Sequence, residues 1–461
     1  MSEITLFDHQ RRGVELARTH PRYAFFWQPG TGKTIAILAV QKERPMRTLV
    51  IAAKSIIWSA WEKDAKLLDV DLRVVHHTNK AKRRELILEK GNHIIVTNYE
   101  QFRMNVDLFI ESGVQRVVFD ESSKIKNRKA KVTQAAIKMA DACNEVYLLS
   151  GTPSPNCETE LWSQLRAISP VASGLQFYKW AYDWFMPITE NIRGRNVIAR
   201  WVPKKDMIKQ FHDYLKKWSW ALRKEECLDL PIQMDVIREF ELSKPEQKIY
   251  NQVVEELRLC CKSSEGDYNT TVSVRSEAVL MKLRQVAGGT VKIGDVPTEV
   301  GSSKLDTLVD VLDEVGSEPA IIWAEFTADI DRIARRLTKE GNKVGIIDGR
   351  TSKQAQEYID RFVRGELNRL ILHPKAAGHG TDGLQKVCEY AVYYGLSFSA
   401  EEHMQSRDRL HRSGQKRPVT YIYLIAKETV DESLLWVVRK KSNKQQTLLK
   451  ELGLQKTERQ G

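Results

Sequence analysis

The sequence predicts an α/β protein in which two blocks of parallel sheet are each covered by helices. Two observations carry that expectation. Short apolar runs alternate with helix-patterned stretches from Tyr23 to Leu149, and a second series of the same kind starts at Ala320. With 461 residues and 42% hydrophobic content, the chain can build two or three domains with sizeable cores.

The segment Leu6 to Ala17 opens on a polar cap and continues with helical spacing. Within it Gln10 carries an amide that can meet both the donor and the acceptor edge of adenine, although an exposed helix glutamine would read the same way. Tyr23 to Trp27 reads as a buried strand and Thr34 to Val40 as a helix. Between them lies Gln28-Pro29-Gly30-Thr31-Gly32-Lys33-Thr34. Gly30 and Gly32 let the backbone curl around Thr31 until its N–H groups point inward, and the helix N-terminus adds partial positive charge there. Lys33 would reach the β and γ phosphates of a nucleotide, and Thr34 would offer its hydroxyl to Mg²⁺. Trp27 stands where the full phosphate-loop pattern has glycine or alanine, so this segment alone also fits a plain strand-to-helix turn.

Strands are expected at Thr48 to Ala52 and Ile94 to Thr97, with a helix from Trp58 to Leu68 between them. Arg116 to Phe119 is an apolar run that ends in Asp120-Glu121-Ser122-Ser123. Two adjacent carboxylates closing a buried strand are costly unless they face a cation or a substrate. In phosphoryl transfer, Asp120 would hold the Mg²⁺ shell and Glu121 would orient and deprotonate the attacking water. The strand Val146 to Leu149 ends in Ser150-Gly151-Thr152-Pro153, small residues suited to sensing a γ-phosphate.

From Leu161 to Leu230 the pattern is helical and rich in aromatic residues, including Phe177, Trp180, Trp184, Trp201 and Trp220, with Arg193, Arg195 and Arg200 among them. Helical spacing of this kind favours core packing over base stacking. Lys262 to Thr271 is polar and reads as a mobile loop. The second block has candidate strands at Ala320 to Trp323, Val344 to Ile347, Arg369 to Leu372, Tyr390 to Tyr394 and Tyr421 to Leu424. It lacks a phosphate loop. It offers instead Gln405-Ser406-Arg407-Asp408-Arg409-Leu410-His411-Arg412-Ser413-Gly414-Gln415, in which Arg409 and Arg412 would share one face of a helix.

The 72 Lys and Arg residues against 60 Asp and Glu give a formal charge of +12, which suits a polyanionic partner. The six cysteines form no Cys-x-x-Cys pair, which argues against structural zinc or a disulfide framework. No run approaches the length of a membrane span, and Met1-Ser2-Glu3-Ile4 lacks the features of a signal peptide, so a cytoplasmic location is expected.

In order, the phosphate loop, Asp-Glu, Ser-Gly-Thr and the late glutamine-arginine element resemble helicase superfamily two. Leu228-Asp229-Leu230-Pro231, Ser243 to Tyr250, Leu283-Arg284-Gln285, Ser303-Lys304-Leu305 and Asp408 to Gln415 narrow the resemblance to the Swi/Snf-like DNA-dependent ATPases. The late motif is most similar to the annealing-helicase branch and to short bacteriophage-encoded relatives, which suggests a bacterial or phage-infected cell. The resemblance implies two tandem RecA-like lobes, 1–225 with a helical insertion at about 161–225, and 226–461. It implies ATP and Mg²⁺ as cofactors and duplex DNA, contacted without sequence preference, as partner.

Residue by residue, Gln10 falls on the adenine-reading motif, Gly30 to Thr34 on the phosphate loop, and Asp120 and Glu121 on the Mg²⁺ and water motif. Ser150, Thr152 and Gln405 fall on coupling motifs, and Arg409 and Arg412 on the arginine fingers. Thr97, Tyr99, Lys375 and His379 resemble residues that touch the DNA backbone. Two departures stand out. Ser122-Ser123 replaces the family's alanine-histidine or serine-histidine, and Asp382-Gly383-Leu384-Gln385 replaces an asparagine-leucine pair. The reading is a monomeric duplex-DNA translocase that a partner protein could recruit. A strand-separating DNA or RNA helicase and a nucleotide-gated nucleic-acid clamp are the alternatives.

Overall fold

A computed structural model of the chain describes residues 5–54, 56–76, 79–174, 176–192, 195–262, 270–293, 296–351, 353–377 and 383–453. The segment expected as a mobile loop falls largely on 263–269, outside the described residues. Two compact units form. One takes in the chain up to Asp229, less 191–195, together with the chain from Asn443; the other is made of 191–195 and Leu230–Ser442. This differs from a single break at 225/226, because the end of the last helix, Val430–Leu452, belongs with the first unit. The cause is apolar: Leu448, Leu449 and Leu452 are buried in that unit's core with Leu215 and Ala221.

In chain order the stretch up to Asp229 contains β1 (Arg22–Trp27), β2 (Thr48–Ala52), β3 (Leu72–Val74), β4 (Ile94–Asn98), β5 (Arg116–Asp120), β6 (Glu145–Leu149), β7 (Phe185–Ile192), β8 (Arg195–Pro203) and β9 (Ser219–Leu222). Seven of these pair in parallel in the order β3-β4-β2-β5-β6-β1-β9. Helices cover both faces, which is why β2, β5 and β6 are buried at every position and read as continuous apolar runs. Alternate residues feed two cores: Ala24, Phe26, Val117 and Phe119 enter one, and Phe25, Trp27, Val118 and Tyr147 the other. At the N-terminal ends of β5 and β6, the fully buried Arg116 donates to Glu145 (2.7 Å) and to Gln41 (2.7 Å), and Arg44 also donates to Glu145 (2.8 Å). Burying that guanidinium is tolerable only because each charge is paired and hydrogen-bonded.

The insertion expected to be helical is mixed. Helices Leu161–Ile168, Pro170–Ser173, Phe177–Trp184 and Ile208–Lys216 are present, but β7 and β8 form a two-stranded sheet and β9 joins the main sheet. The aromatic residues suit either structure because they pack on one another. Phe211 meets Trp180, Trp184 and Phe185, and Trp201 meets Phe177 and Tyr182. The helix expected at Trp58 to Leu68 is a π-helical stretch, Ile57–Glu62, running into an α-helix, Lys63–Leu68.

The second unit contributes β10 (Gln233–Phe240), β11 (Thr290–Ile293), β12 (Val296–Glu299), β13 (Ala320–Trp323), β14 (Val344–Ile347), β15 (Arg369–Leu372), β16 (Tyr390–Tyr393) and β17 (Val419–Ala426). Six pair in parallel in the order β10-β17-β16-β13-β15-β14. Helices Ser303–Val315 and Thr327–Lys339 bury Leu308, Leu312, Ile330 and Ile333 on one face. Ala355–Val363 and the start of the last helix bury Ile359, Phe362, Leu434 and Leu435 on the other. Among the described residues, no helix is long and apolar enough to cross a membrane.

Two predictions concern stability. Leu449→Ala removes a fully buried side chain from the first unit's core, and should cost that unit about 2–5 kcal/mol; the check is its midpoint in a thermal or urea unfolding series. In the second unit, burial pushes the Asp329 carboxyl up to about 7, against the Thr290 hydroxyl that donates to it and the nearby Lys304 and Arg332 cations. A carboxyl whose folded-state pKa is raised stabilises the fold fully below its ordinary value of 3.8, and that contribution is lost as the pH climbs through 7. Across this window the wild type should lose up to about 1.4 kcal/mol per pH unit from this group. Asp329→Asn should flatten the slope, so equal slopes in the two proteins would exclude the assignment.

Candidate functional site

Strands β5, β6 and β1 are neighbours, with Asp120 opposite Leu149 and Leu149 opposite Phe25. Because they run parallel, their C-terminal ends bring Asp120-Glu121, Ser150-Gly151-Thr152 and the Gln28–Thr34 loop to one edge of the sheet. Separations of about a hundred residues in sequence become adjacent strands.

The loop after β1 depends on two glycines. Gly30 (φ +84°) and Gly32 (φ +81°) both lie in the left-handed region, and Gly32 caps the helix Lys33–Glu43. A Cβ on Gly32 would sit 2.1 Å from Gln10 Nε2. Gln10 is thus not an exposed helix residue. It is 4% exposed, its Oε1 accepts the Phe7 N–H (2.9 Å), and its Nε2 points to the Gly32 carbonyl (3.4 Å). His9 Nε2 lies 2.7 Å from the Thr31 carbonyl, which can only accept, so that nitrogen carries the proton. The buried Thr31 hydroxyl donates to the Gln28 carbonyl (2.8 Å), and Gln28 Oε1 accepts the Lys224 N–H (2.9 Å). Lys33 Nζ donates to the Trp27 carbonyl (2.8 Å) inside the loop, and Thr34 follows it on the helix. Trp27 is the last residue of β1, buried, with its ring on His9 and Trp220. Gly13 makes room for it, since a Cβ there would be 2.6 Å from the indole.

The Asp120 carboxylate is buried, with Oδ2 accepting the Trp61 indole N–H (2.8 Å) and Oδ1 the Glu121 N–H (3.0 Å). Burial pushes its pKa up, opposed by the Lys33 ammonium and these two donors. The π-helical stretch is what aims Trp61 at this carboxylate, a use of that geometry seen at functional sites. Glu121 has φ +55° without being glycine, and it turns the chain into the 3₁₀ helix Ser122–Ile125. The Tyr99 hydroxyl donates to the Asp120 carbonyl (2.7 Å), and Thr97, fully buried, donates to the Val75 carbonyl (2.9 Å). Two of the four side chains expected to touch nucleic acid, Thr97 and Tyr99, therefore have partners inside the fold. Ser150 and Thr152 are buried, with the Thr152 N–H donated to Ser150 Oγ (3.1 Å). Gly151 passes so close to Pro29 that a Cβ would be 2.5 Å from its Cδ, which sets the Ser-Gly-Thr segment against the phosphate loop.

In the second unit, Gln405 is buried on the helix Ala400–Arg407. That helix ends before Arg409 and Arg412, so the expectation that they share a helix face is corrected: they stand in the tight turns that follow. The Leu410 N–H bonds to the Arg407 carbonyl, that of Arg412 to Leu410 and that of Gln415 to Arg412, and Gly414 takes φ +94°. Neighbours anchor these turns. Arg407 donates to Asp235 (2.6 Å) and Tyr423 (2.7 Å) with its guanidinium over the Tyr421 ring, His411 Nε2 reaches the Pro231 carbonyl (2.9 Å), and Gln415 donates to the Cys388 carbonyl (2.9 Å). Lys375 is exposed on the short helix Pro374–Ala377, and His379 lies outside the described residues.

Residues 9–288 match the SNF2-related domain, and residues 303–414 match the helicase conserved C-terminal domain. The chain belongs to the SNF2-related family. It is 24% identical over 438 residues to an uncharacterized ATP-dependent helicase of Mycoplasma genitalium, covering 91% of this chain and 39% of that one. It is 23% identical over 432 residues to protein p41 of the Acyrthosiphon pisum secondary endosymbiont phage 1, covering 88% and 89% respectively. The chain thus spans about two fifths of the length of the mycoplasma relative and most of the phage one. Among solved structures, it is similar to the Sulfolobus solfataricus SWI2/SNF2 ATPase core in complex with dsDNA, at 18% identity, 97% coverage of each chain and a TM-score of 0.43.

The residues of this SNF2-related site fit a nucleotide with a divalent cation. Two left-handed glycines and a helix N-terminus turn backbone N–H groups to one side, and Lys33 supplies a cation. Asp120, a hard oxygen donor, lies beside that cation, and Thr34 adds a hydroxyl. Gly32→Ala should displace Gln10 and strain the loop. Affinity for a fluorescent ATP analogue should fall at least about tenfold, since a left-handed alanine costs on the order of 1–2 kcal/mol before the clash is counted. Binding at wild-type strength would exclude the loop from the site.

Proposed function

We propose that this SNF2-related chain is a DNA-dependent ATPase that moves along duplex DNA. The observation that supports the reading best is the convergence of Gln28–Thr34, Asp120-Glu121 and Ser150–Thr152 at the ends of three adjacent parallel strands. Lys33 holds the β and γ phosphates, Thr34 and Asp120 hold Mg²⁺, and Gln10 meets the adenine. When bound, Mg²⁺ neutralises charge on the phosphates. Glu121 orients the attacking water and takes its proton, its backbone turned out of line by the positive φ. Arg409 and Arg412, held on an anchored turn, stabilise charge on the transferring phosphate. Ser150, Thr152 and Gln405 relay nucleotide state to the DNA-contacting residues, which by family resemblance are Thr97, Tyr99, Lys375 and His379.

The formal charge of +12 suits a phosphate backbone, and a motor that grips phosphates has little base preference. Family membership favours duplex over single strands, and the reading is completed by a monomer recruited by a partner in a bacterial or phage-infected cell.

The test is steady-state ATP hydrolysis without nucleic acid and with blunt duplex DNA, single-stranded DNA or RNA, at two salt concentrations. Duplex should stimulate most, and stimulation should fade with salt as counterion release is lost. Lys33→Ala should abolish turnover. Glu121→Gln should cut it by about 10²-fold or more while ATP still binds. Stimulation by single strands or RNA alone would replace the translocase reading with a helicase one, and DNA binding unchanged by nucleotide would overturn the motor altogether.

A further inference from the structure

A buried amide joins the loop after Asp-Glu to the Ser-Gly-Thr segment. Ser122, directly after the two carboxylates, is fully buried, and its hydroxyl donates to Gln164 Oε1 (2.7 Å). Gln164, 1% exposed, donates from Nε2 to the Pro153 carbonyl (2.6 Å), with the Glu160 carbonyl at 3.3 Å. Pro153 closes the Ser150–Pro153 segment, whose Gly151 lies against Pro29 of the phosphate loop. The next residue back, Ser163, donates to the Lys126 carbonyl (2.9 Å), so one turn of the helix Leu161–Ile168 holds the loops after both β5 and β6.

Gln164 sits among Leu161, Leu165 and Ile168, all buried. A primary amide there is costly unless both its ends are satisfied. A primary amide accepts at its oxygen and donates from its nitrogen without charge, which is what a hydroxyl on one loop and a carbonyl on the other require.

We propose that Gln164 is a positioning residue. Its amide ties the Glu121 loop to the Ser150–Pro153 segment through Ser122, so that a shift of either loop moves the other. The inference rests on the ATPase reading above. Gln164 touches no nucleotide; it acts through Ser122 and Pro153.

The experiment compares wild type with Gln164→Met, Ser122→Ala and the double variant, measuring ATP turnover with and without duplex DNA, KM for ATP, and thermal midpoint. Gln164→Met keeps the volume and removes both hydrogen bonds. It should cut the duplex-stimulated kcat roughly tenfold, with KM for ATP and unstimulated turnover within about twofold of wild type. Ser122→Ala should lower stimulated kcat in the same sense, and the double variant should be no worse than Gln164→Met, because both act through one link. A purely structural role would lower the thermal midpoint and leave the stimulation ratio of the folded protein intact. That result, or effects that multiply independently in the double variant, would overturn the proposal while leaving the ATPase reading standing. A wild type without turnover on any nucleic acid would overturn that reading, and the proposal with it.

Discussion

A parallel sheet with both faces covered exposes backbone to chemistry only at its ends. In the first unit the placement of the candidate site follows from that constraint. The interior strands are buried throughout, so polar residues can be held only where the strands stop, and the order β5-β6-β1 puts three of those stops side by side. At the opposite ends of β5 and β6, Arg116, Glu145, Gln41 and Arg44 form a closed set of ion pairs and hydrogen bonds. One end of the sheet is locked by charges that satisfy each other. The other carries Asp120, kept in place by one indole and one backbone N–H, with acceptor capacity left for a cation.

The elements that read well from sequence are those whose signal is local. Continuous apolar runs gave β1, β2, β4, β5 and β6, and the glycine spacing located the loop, because each is dictated by burial on both faces or by left-handed φ. What did not read has a non-local cause. Strand β3 is three residues long and half-buried, β9 follows a helical segment, and β10 is largely exposed on a sheet edge, so none carries the pattern of a buried strand. The β7–β8 pair was hidden by aromatic residues that fill a core equally well from helix or strand. Trp61 and Gln164 carried no motif at all. Trp61 is placed by one hydrogen bond across 59 residues of sequence, and Gln164 by two, across 42 and 11.

The departure at Trp27 shows how a motif tolerates an unusual residue. A glycine at the end of β1 would leave space under the loop; here the indole fills it, and Gly13 on the first helix yields the room. His9, edge-on to the same indole, in turn fixes the Thr31 carbonyl. The loop's shape is therefore set from below by packing and from the side by Gln10, and only the glycines themselves are indispensable for φ. The geometry thus demands glycine at 30 and 32 and tolerates an indole at 27.

The same logic applies to Arg409 and Arg412. On a helix their backbones would be fixed by the helix, and their side chains would have to reach past neighbours three and four residues away. In the turns after Arg407 the backbone is fixed instead by its flanks: Arg407 to Asp235 and Tyr423, His411 to Pro231, Gln415 to Cys388. Three of the motif's polar side chains are consumed in that anchoring. A short irregular segment holds its shape only when its own side chains supply the hydrogen bonds that regular structure would have provided.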